Sequence, residues 1–251
     1  MKIVVIGGTG LIGRKVVQDL TEHGHDAISA SPSSGVNTVT GEGLADVFTG
    51  ADVVVDVSNS PTLDDAAMDF FTAATTNGLS AEAAAGVKHH VVLSVVGTDR
   101  LAPQSGYFKA KLAQEKLIAS GATPYTIVHA TQFFEFVGTI ADSATEGDTV
   151  RLPNAKWQPM ASADVAEAVA IAAVGEPQNR IVEIGGPERF GLDELVRSAL
   201  AAKGDPRTVV TDPAARYWGV DIDDDTLVPG EGATLFDTRF ADWVRETVAS
   251  R

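Results

Sequence analysis

The sequence contains no cysteine. That excludes disulfides, thiolate metal sites and thiol nucleophiles, and it fits a reducing compartment, so a cytoplasmic location is expected. Positive charge is scarce: 19 Lys and Arg stand against 34 Asp and Glu, for a formal net charge of −15. Proteins that grip phosphate backbones draw affinity from clustered cations. No such cluster occurs here, which argues against a nucleic-acid partner and leaves the acidic surface to serve solubility. Long apolar runs are also missing. Met1-Lys2-Ile3-Val4-Val5-Ile6 superficially looks like a leader, but Gly7, Gly8, Gly10 and Gly13 interrupt it and no small-residue cleavage site follows. No stretch approaches the roughly 18 residues of a membrane span, so no membrane association is expected. Metal-ligand spacing is absent as well. His89 and His90 are adjacent and point to opposite faces of a strand, while His23, His25 and His129 are scattered. The run Asp221-Ile222-Asp223-Asp224-Asp225 lacks the glycine and distal glutamate of a calcium loop.

What remains is an ordinary globular composition, 44% hydrophobic and 21% charged over 251 residues, enough for one large domain or one with a small appendage. Short β-branched runs alternate with helical periodicity. Strands are expected at 2–6, 27–30, 52–57, 91–96, 125–129 and 181–184. Helices are expected from Leu11 to a stop at Gly24, and over 63–85, 107–119, 165–174 and 192–202. Such alternation implies parallel strands joined by right-handed crossovers, an α/β doubly wound sheet covered on both faces. Fewer than eight clear units argue against a barrel. The spacing predicts a dinucleotide-binding core over residues 1–150. Residues 151–251 would complete that core and form a small C-terminal substrate lobe, with 204–237 rich in Pro, Gly and Asp.

Gly8-Thr9-Gly10-Leu11-Ile12-Gly13 matches GxGxxG, and Gly7 extends it. It falls between a buried strand and a helix, where glycine permits a tight turn and the helix N-terminus offers unpaired N–H groups to a pyrophosphate. A Rossmann-type dinucleotide site follows. The acidic residue that would bind an adenosine ribose and reject a 2′-phosphate is missing after the second strand, where Ser31-Pro32-Ser33-Ser34 offers hydroxyls. NADP is therefore expected over NAD, with Ser31 and Ser33 as contacts.

Tyr107 and Lys111 are four apart and share a helix face. A nearby ammonium favours phenolate and would bring a phenol toward the working pH range. Ser94 ends the preceding strand, where its hydroxyl could hold a substrate carbonyl near that phenol.

The glycine turn, Ser94 and Tyr107xxxLys111, with the segments Val91–Gly97, Ser105–Lys111 and Ala130–Phe133, resemble the short-chain dehydrogenases/reductases, specifically the atypical NmrA-like branch, over most of the chain. The resemblance implies that Tyr107 is the general acid/base. It implies that Lys111 orients the nicotinamide ribose and tunes the phenol, and that Ser94 steadies the substrate carbonyl. It puts Ser58 and Asn59 along the adenosine and ribose path, and Gln132 and Phe133 on the pocket wall; apart from the resemblance, Trp157, Tyr217 and Trp218 are candidates to close an apolar substrate site. Two departures stand out: serines replace the arginine expected after the second strand, and Ala130 replaces a proline. The implied function is an NAD(P)H-dependent oxidoreductase delivering hydride to a small carbonyl, enone or quinone. A non-catalytic dinucleotide sensor acting on a protein partner and a sugar-nucleotide epimerase are the alternatives. Ala- and Val-rich helical faces leave homo-oligomer formation open.

Overall fold

The computed structural model describes residues 1–249. The chain runs β1 (Lys2–Ile6), α1 (Gly13–Glu22), β2 (Asp26–Ala30), α2 (Leu44–Phe48), β3 (Val53–Asp56), α3 (Ala67–Ala85), β4 (His89–Val95), α4 (Thr98–Leu101), α5 (Gly106–Ser120) and β5 (Tyr125–Ala130). It continues through α6 (Val137–Ser143), β6 (Thr145–Glu146), β7 (Thr149–Leu152), β8 (Lys156–Trp157), α7 (Ser162–Val174), β9 (Ile181–Gly185), β10 (Phe190–Gly191), α8 (Leu192–Lys203), β11 (Thr208–Thr211), β12 (Thr234–Leu235) and α9 (Phe240–Ala249). Seven strands form one parallel sheet in the order β12-β9-β5-β4-β3-β1-β2. The expected Rossmann-type α/β fold is what the chain adopts.

The sequence explains the central strands. Ile3, Val4, Val5, Val54 and Val55 are fully buried, as β-branched residues in a sheet covered on both faces must be. Each such side chain contributes about 1.5–3 kcal/mol on burial. β1 pairs with β2 on one side and β3 on the other, with Ile6 opposite both Ala30 and Asp56. The winding direction therefore reverses between β1 and β3. In such sheets the ligand crevice opens beyond the carboxyl ends of the strands at that reversal, which here means the turn after Ile6 and the segment after Asp56.

Two compact units interleave along the chain. One comprises residues 1–94, 105–129 and 165–182; the other comprises 95–104, 130–164 and 183–251. A single boundary at residue 150 therefore does not describe the molecule. The segments following β4, β5 and the middle of β9 each leave the first unit, and a contiguous reading of the sequence cannot register such excursions. Helix α3 begins at Ala67 rather than Leu63, because Asp64 accepts the Ala66 N–H on its carboxylate at 3.0 Å and the Ala67 N–H on its carbonyl at 3.1 Å. Among the described residues no helix is long and apolar enough to cross a membrane.

Candidate active site

The glycine turn connects β1 to α1 in the first unit. Gly7 has φ +76°, and a Cβ there would lie 2.9 Å from the Ser58 backbone. A Cβ on Gly8 would fall 2.5 Å from Ser29 Oγ, and one on Gly13 would overlap the Gly7 carbonyl oxygen. These glycines let the turn press against the ends of both neighbouring strands. Gly10 differs: it is exposed, and a Cβ would meet only the Gly7 oxygen, at 3.2 Å. Helix α1 starts without a side-chain cap and without an acidic residue in its first turn. The amides of Leu11, Ile12 and Gly13 find no acceptor among the described residues, and Thr9 and Gly10 are exposed beside them. That leaves an open, positively polarised helix terminus. Ser29 Oγ and Ser58 Oγ, on the two strand ends that flank the turn, are buried without partners. An open N-terminus beside two orphaned hydroxyls fits a dinucleotide's pyrophosphate and ribose.

After β2, Ser31 Oγ and Ser33 Oγ lie 2.9 Å apart, and Ser34 Oγ accepts the Ser31 N–H at 3.0 Å. Ser31 is buried and Ser33 exposed. The turn Ser31–Gly35 bears no carboxylate.

Helix α5 carries the polar face expected to perform chemistry. Ser105 caps it, accepting the Phe108 N–H. The Tyr107 hydroxyl donates to Asn59 Oδ1 at 2.9 Å, and the same oxygen accepts the Ser60 N–H at 3.0 Å, which fixes which end of the amide meets the phenol. The phenol ring stands edge-on to Phe71 and Phe108, with centroids 6.0 and 5.3 Å away. Burial pushes its pKa up to about 12, against the Asn59 hydrogen bond. Lys111 is buried, donates to the Leu93 carbonyl at 3.0 Å and to Gln114 Oε1, and lies 4.7 Å over the Phe71 ring. Desolvation lowers its pKa to about 8, with Asp56 and Glu115 pulling the other way. The expected depression of the phenol by the ammonium is not found, because Lys111 is anchored to Leu93 and Gln114 while the phenol's partner is Asn59.

Ser94 also faces elsewhere than expected. Its hydroxyl is buried and donates to Glu115 Oε1, which also takes His129 Nε2 at 2.9 Å. A serine whose single proton is committed to a carboxylate does not offer that proton to a substrate carbonyl. Phe71 thus brings Tyr107 and Lys111 together, while Ser94 bonds Glu115, whose charge also acts on Lys111.

Sequence reasoning missed Asp56, Gln114 and Glu115. The signal was present: Tyr107, Lys111, Gln114 and Glu115 stand at i, i+4, i+7 and i+8, one helix face lined with polar groups. Gln114 and Glu115 are nonetheless buried.

The residues expected to wall a substrate pocket lie in the second unit. Gln132 is buried with neither amide atom partnered. Phe133 stacks on Phe136 with centroids 5.3 Å apart. Trp157 has no exposed surface and sits in the β8–β10 pair opposite Phe190. In this structure it is a core residue.

Residues 7–177 match a family model described as NAD(P)H-binding. The chain belongs to that family, whose members share the group resemblance noted in the sequence. Curated relatives include the chloroplastic divinyl chlorophyllide a 8-vinyl-reductase of Oryza sativa subsp. indica, 29% identical over 223 residues, covering 74% of this chain and 54% of that protein. The chain thus spans about half the length of that relative. Another is the (4-alkanoyl-5-oxo-2,5-dihydrofuran-3-yl)methyl phosphate reductase of Streptomyces griseus, 28% identical over 220 residues, covering 81% and 74%. Among solved structures, MoeE5 in complex with UDP-glucose and NAD aligns over 100% of this chain and 99% of its own at a TM-score of 0.76 and 17% identity. The NADPH-dependent quinone oxidoreductase QOR2 of Escherichia coli aligns over 85% and 78% at 0.66 and 21%. At those identities the likeness is one of fold.

Proposed function

We propose that the protein is an NADPH-dependent reductase acting on a small conjugated carbonyl or enone, or on a quinone, with Tyr107 as the proton donor and Lys111 as the nearby charge. One observation carries this reading. The phenol is tethered to Asn59, next in sequence to Ser58, whose backbone the glycine turn presses against. The proton donor and the dinucleotide cradle are thus fixed to one short segment after β3. Bound NAD(P)H supplies the hydride. The chain's part is to hold the pyrophosphate at the α1 terminus, to pack Phe71 and Phe108 against the phenol ring, and to keep one proton on the Tyr107 oxygen. A phenol with pKa near 12 is fully protonated at neutral pH, the state an acid catalyst of reduction needs.

NADPH is favoured over NADH by the serine turn, which lacks the carboxylate that would repel a 2′-phosphate. The vinyl-reductase and oxo-dihydrofuran reductase among the relatives support a conjugated C=C substrate. Gln132 and Phe133 remain our candidates for the substrate side. Ser94, with its proton on Glu115, enters the proposal as a residue that orders the carboxyl edge of β4.

The sensor reading is favoured by one observation, the commitment of the Ser94 hydroxyl to Glu115, which leaves a substrate carbonyl without that donor. Titration with NADPH and NADH, followed by oxidation on an enone, aldehyde and quinone panel, decides between the two. Turnover that falls about 10²-fold or more in Tyr107→Phe with unchanged NADPH affinity supports the reductase. Binding without turnover on any panel member supports the sensor.

A further inference from the structure

Lys111 does not stand free beside the phenol. The Gln114 carboxamide bridges two charges: its Nε2 donates to Asp56 Oδ2 at 3.2 Å, and its Oε1 accepts from the Lys111 ammonium. Asp56 is itself fixed, because its Oδ1 accepts the Ser58 N–H at 2.9 Å. Asp56, Gln114 and Lys111 are 5%, 1% and 2% exposed, so water does not satisfy these groups.

An amide between two partners has only two orientations. With an acceptor at one end its NH2 must face that end, and its oxygen must face the other. A carboxylate can only accept, so Asp56 dictates that Gln114 presents oxygen to Lys111. Reversing the amide would set NH2 against NH3⁺ and oxygen against carboxylate. We infer that Asp56 and Gln114 are positioning residues: together they hold Lys111 as a charged, oriented ammonium against the Leu93 carbonyl, and through the Ser58 amide they tie that orientation to the wall of the glycine turn. The inference rests on the proposal only where it concerns the dinucleotide; the hold on Lys111 is a property of the free chain.

The physical need is plain. A buried ammonium without acceptors gives up its proton, since desolvation penalises the charged form. The relay supplies one acceptor directly and one negative charge at the far side of the amide; the Leu93 carbonyl supplies a second acceptor, and the Glu115 carboxylate a second negative charge that every variant below retains. Packing alone would be met more cheaply by apolar side chains at 56 and 114.

Lysine 13C/15N NMR on the full-length chain, with the Lys111 signal assigned by its loss in Lys111→Met, tests this. The Lys111 midpoint is expected near 8 in the wild type. In Gln114→Leu and Asp56→Asn it should fall by about one unit or more. NADPH affinity followed by nicotinamide fluorescence should weaken as pH rises through each variant's own Lys111 midpoint. Unchanged midpoints in folded Gln114→Leu and Asp56→Asn overturn the relay. If those two do not fold, the near-isosteric Gln114→Met, which removes both amide contacts, decides, and a midpoint that does not fall overturns it. Wild-type protein that binds no NADPH would sink the reductase proposal, whereas the Lys111 midpoints would still support or overturn the relay on their own.

Discussion

Alanine at two glycines of one turn separates packing from ligand binding. A Cβ on Gly13 would overlap the Gly7 carbonyl oxygen and lie 2.6 Å from Gly8 Cα. Both are backbone atoms, so no side chain can swing away and the turn itself must shift. Overpacking of this kind costs about 3 kcal/mol, the upper end of the usual range, which lowers Tm by about 6–12 °C for a chain of this size. The same shift misaligns the Leu11–Gly13 amides, so NADPH affinity should fall about 100-fold, or about 2.7 kcal/mol. Gly10→Ala meets only one backbone oxygen at 3.2 Å, so stability should change by less than about 0.5 kcal/mol. Its methyl nonetheless projects from the exposed side of the turn, where a pyrophosphate would approach. NADPH binding should weaken about 10-fold with Tm held. Thermal melts and fluorescence titration of both variants measure the two effects. Wild-type NADPH affinity in Gly10→Ala would mean the pyrophosphate lies elsewhere, and a wild-type melt for Gly13→Ala would refute the packing argument.

Ser94→Ala leaves Glu115 with His129 as its remaining hydrogen-bond partner, so stability should fall by about 1–2 kcal/mol while turnover falls far less than in Tyr107→Phe; a loss as large as the tyrosine's would restore Ser94 to the substrate carbonyl. The adjacent histidines oppose one another in pH dependence. His89, bonded to Thr126, is lowered to about 4 by desolvation. Its folded form therefore refuses a proton that the unfolded chain accepts below 6.5, and stability rises with pH between about 4 and 6.5. For His90, burial works downward, but the Glu82 carboxylate 2.7 Å away outweighs it and raises the pKa. Its contribution is complete below 6.5 and is lost as pH climbs through the raised value. Chemical denaturation across pH should show His90→Gln flattening the alkaline limb relative to wild type and His89→Asn flattening the acid one; parallel profiles for all three proteins would exclude both effects.

The sheet and its order of elements were legible because period-2 and period-3.6 patterning report burial directly, and the buried valines of β1 and β3 have no polar competitor. The glycine turn was legible for a similar reason: a backbone that must touch Ser58 and Ser29 admits no other residue at 7 and 8. Proton placement was not. Spacing puts Tyr107 and Lys111 on one face but cannot say that Asn59, 48 residues upstream, takes the phenol's proton, or that Asp56 reaches Lys111 through Gln114. Those choices depend on which acceptors the fold delivers to one buried volume. The short strands β6 to β8 and β10 to β12 and the short helices α2, α4 and α6 were missed because too few residues repeat to establish a period.

The proton count also constrains the order of events and separates substrates. Tyr107 has one proton, and in the free protein its O–H donates to Asn59 Oδ1. Handing it to a substrate oxygen exchanges one hydrogen bond for another, a net change of about 1 kcal/mol or less, so Asn59 does not block the reaction. The phenol's pKa near 12 does impose a condition. A neutral carbonyl oxygen is far too weak a base to take that proton, whereas the alkoxide formed once hydride has reached an aldehyde is strong enough. Proton transfer therefore accompanies or follows hydride delivery. A quinone yields a phenolate-type oxygen, whose conjugate acid has a pKa of about 10, below that of Tyr107, and such a product gains little from the donor. Tyr107→Phe should accordingly lower kcat by about 10²-fold on an aldehyde but by less than about 10-fold on a quinone. Equal losses on both substrate types would show that the phenol acts through binding or packing and not as the acid.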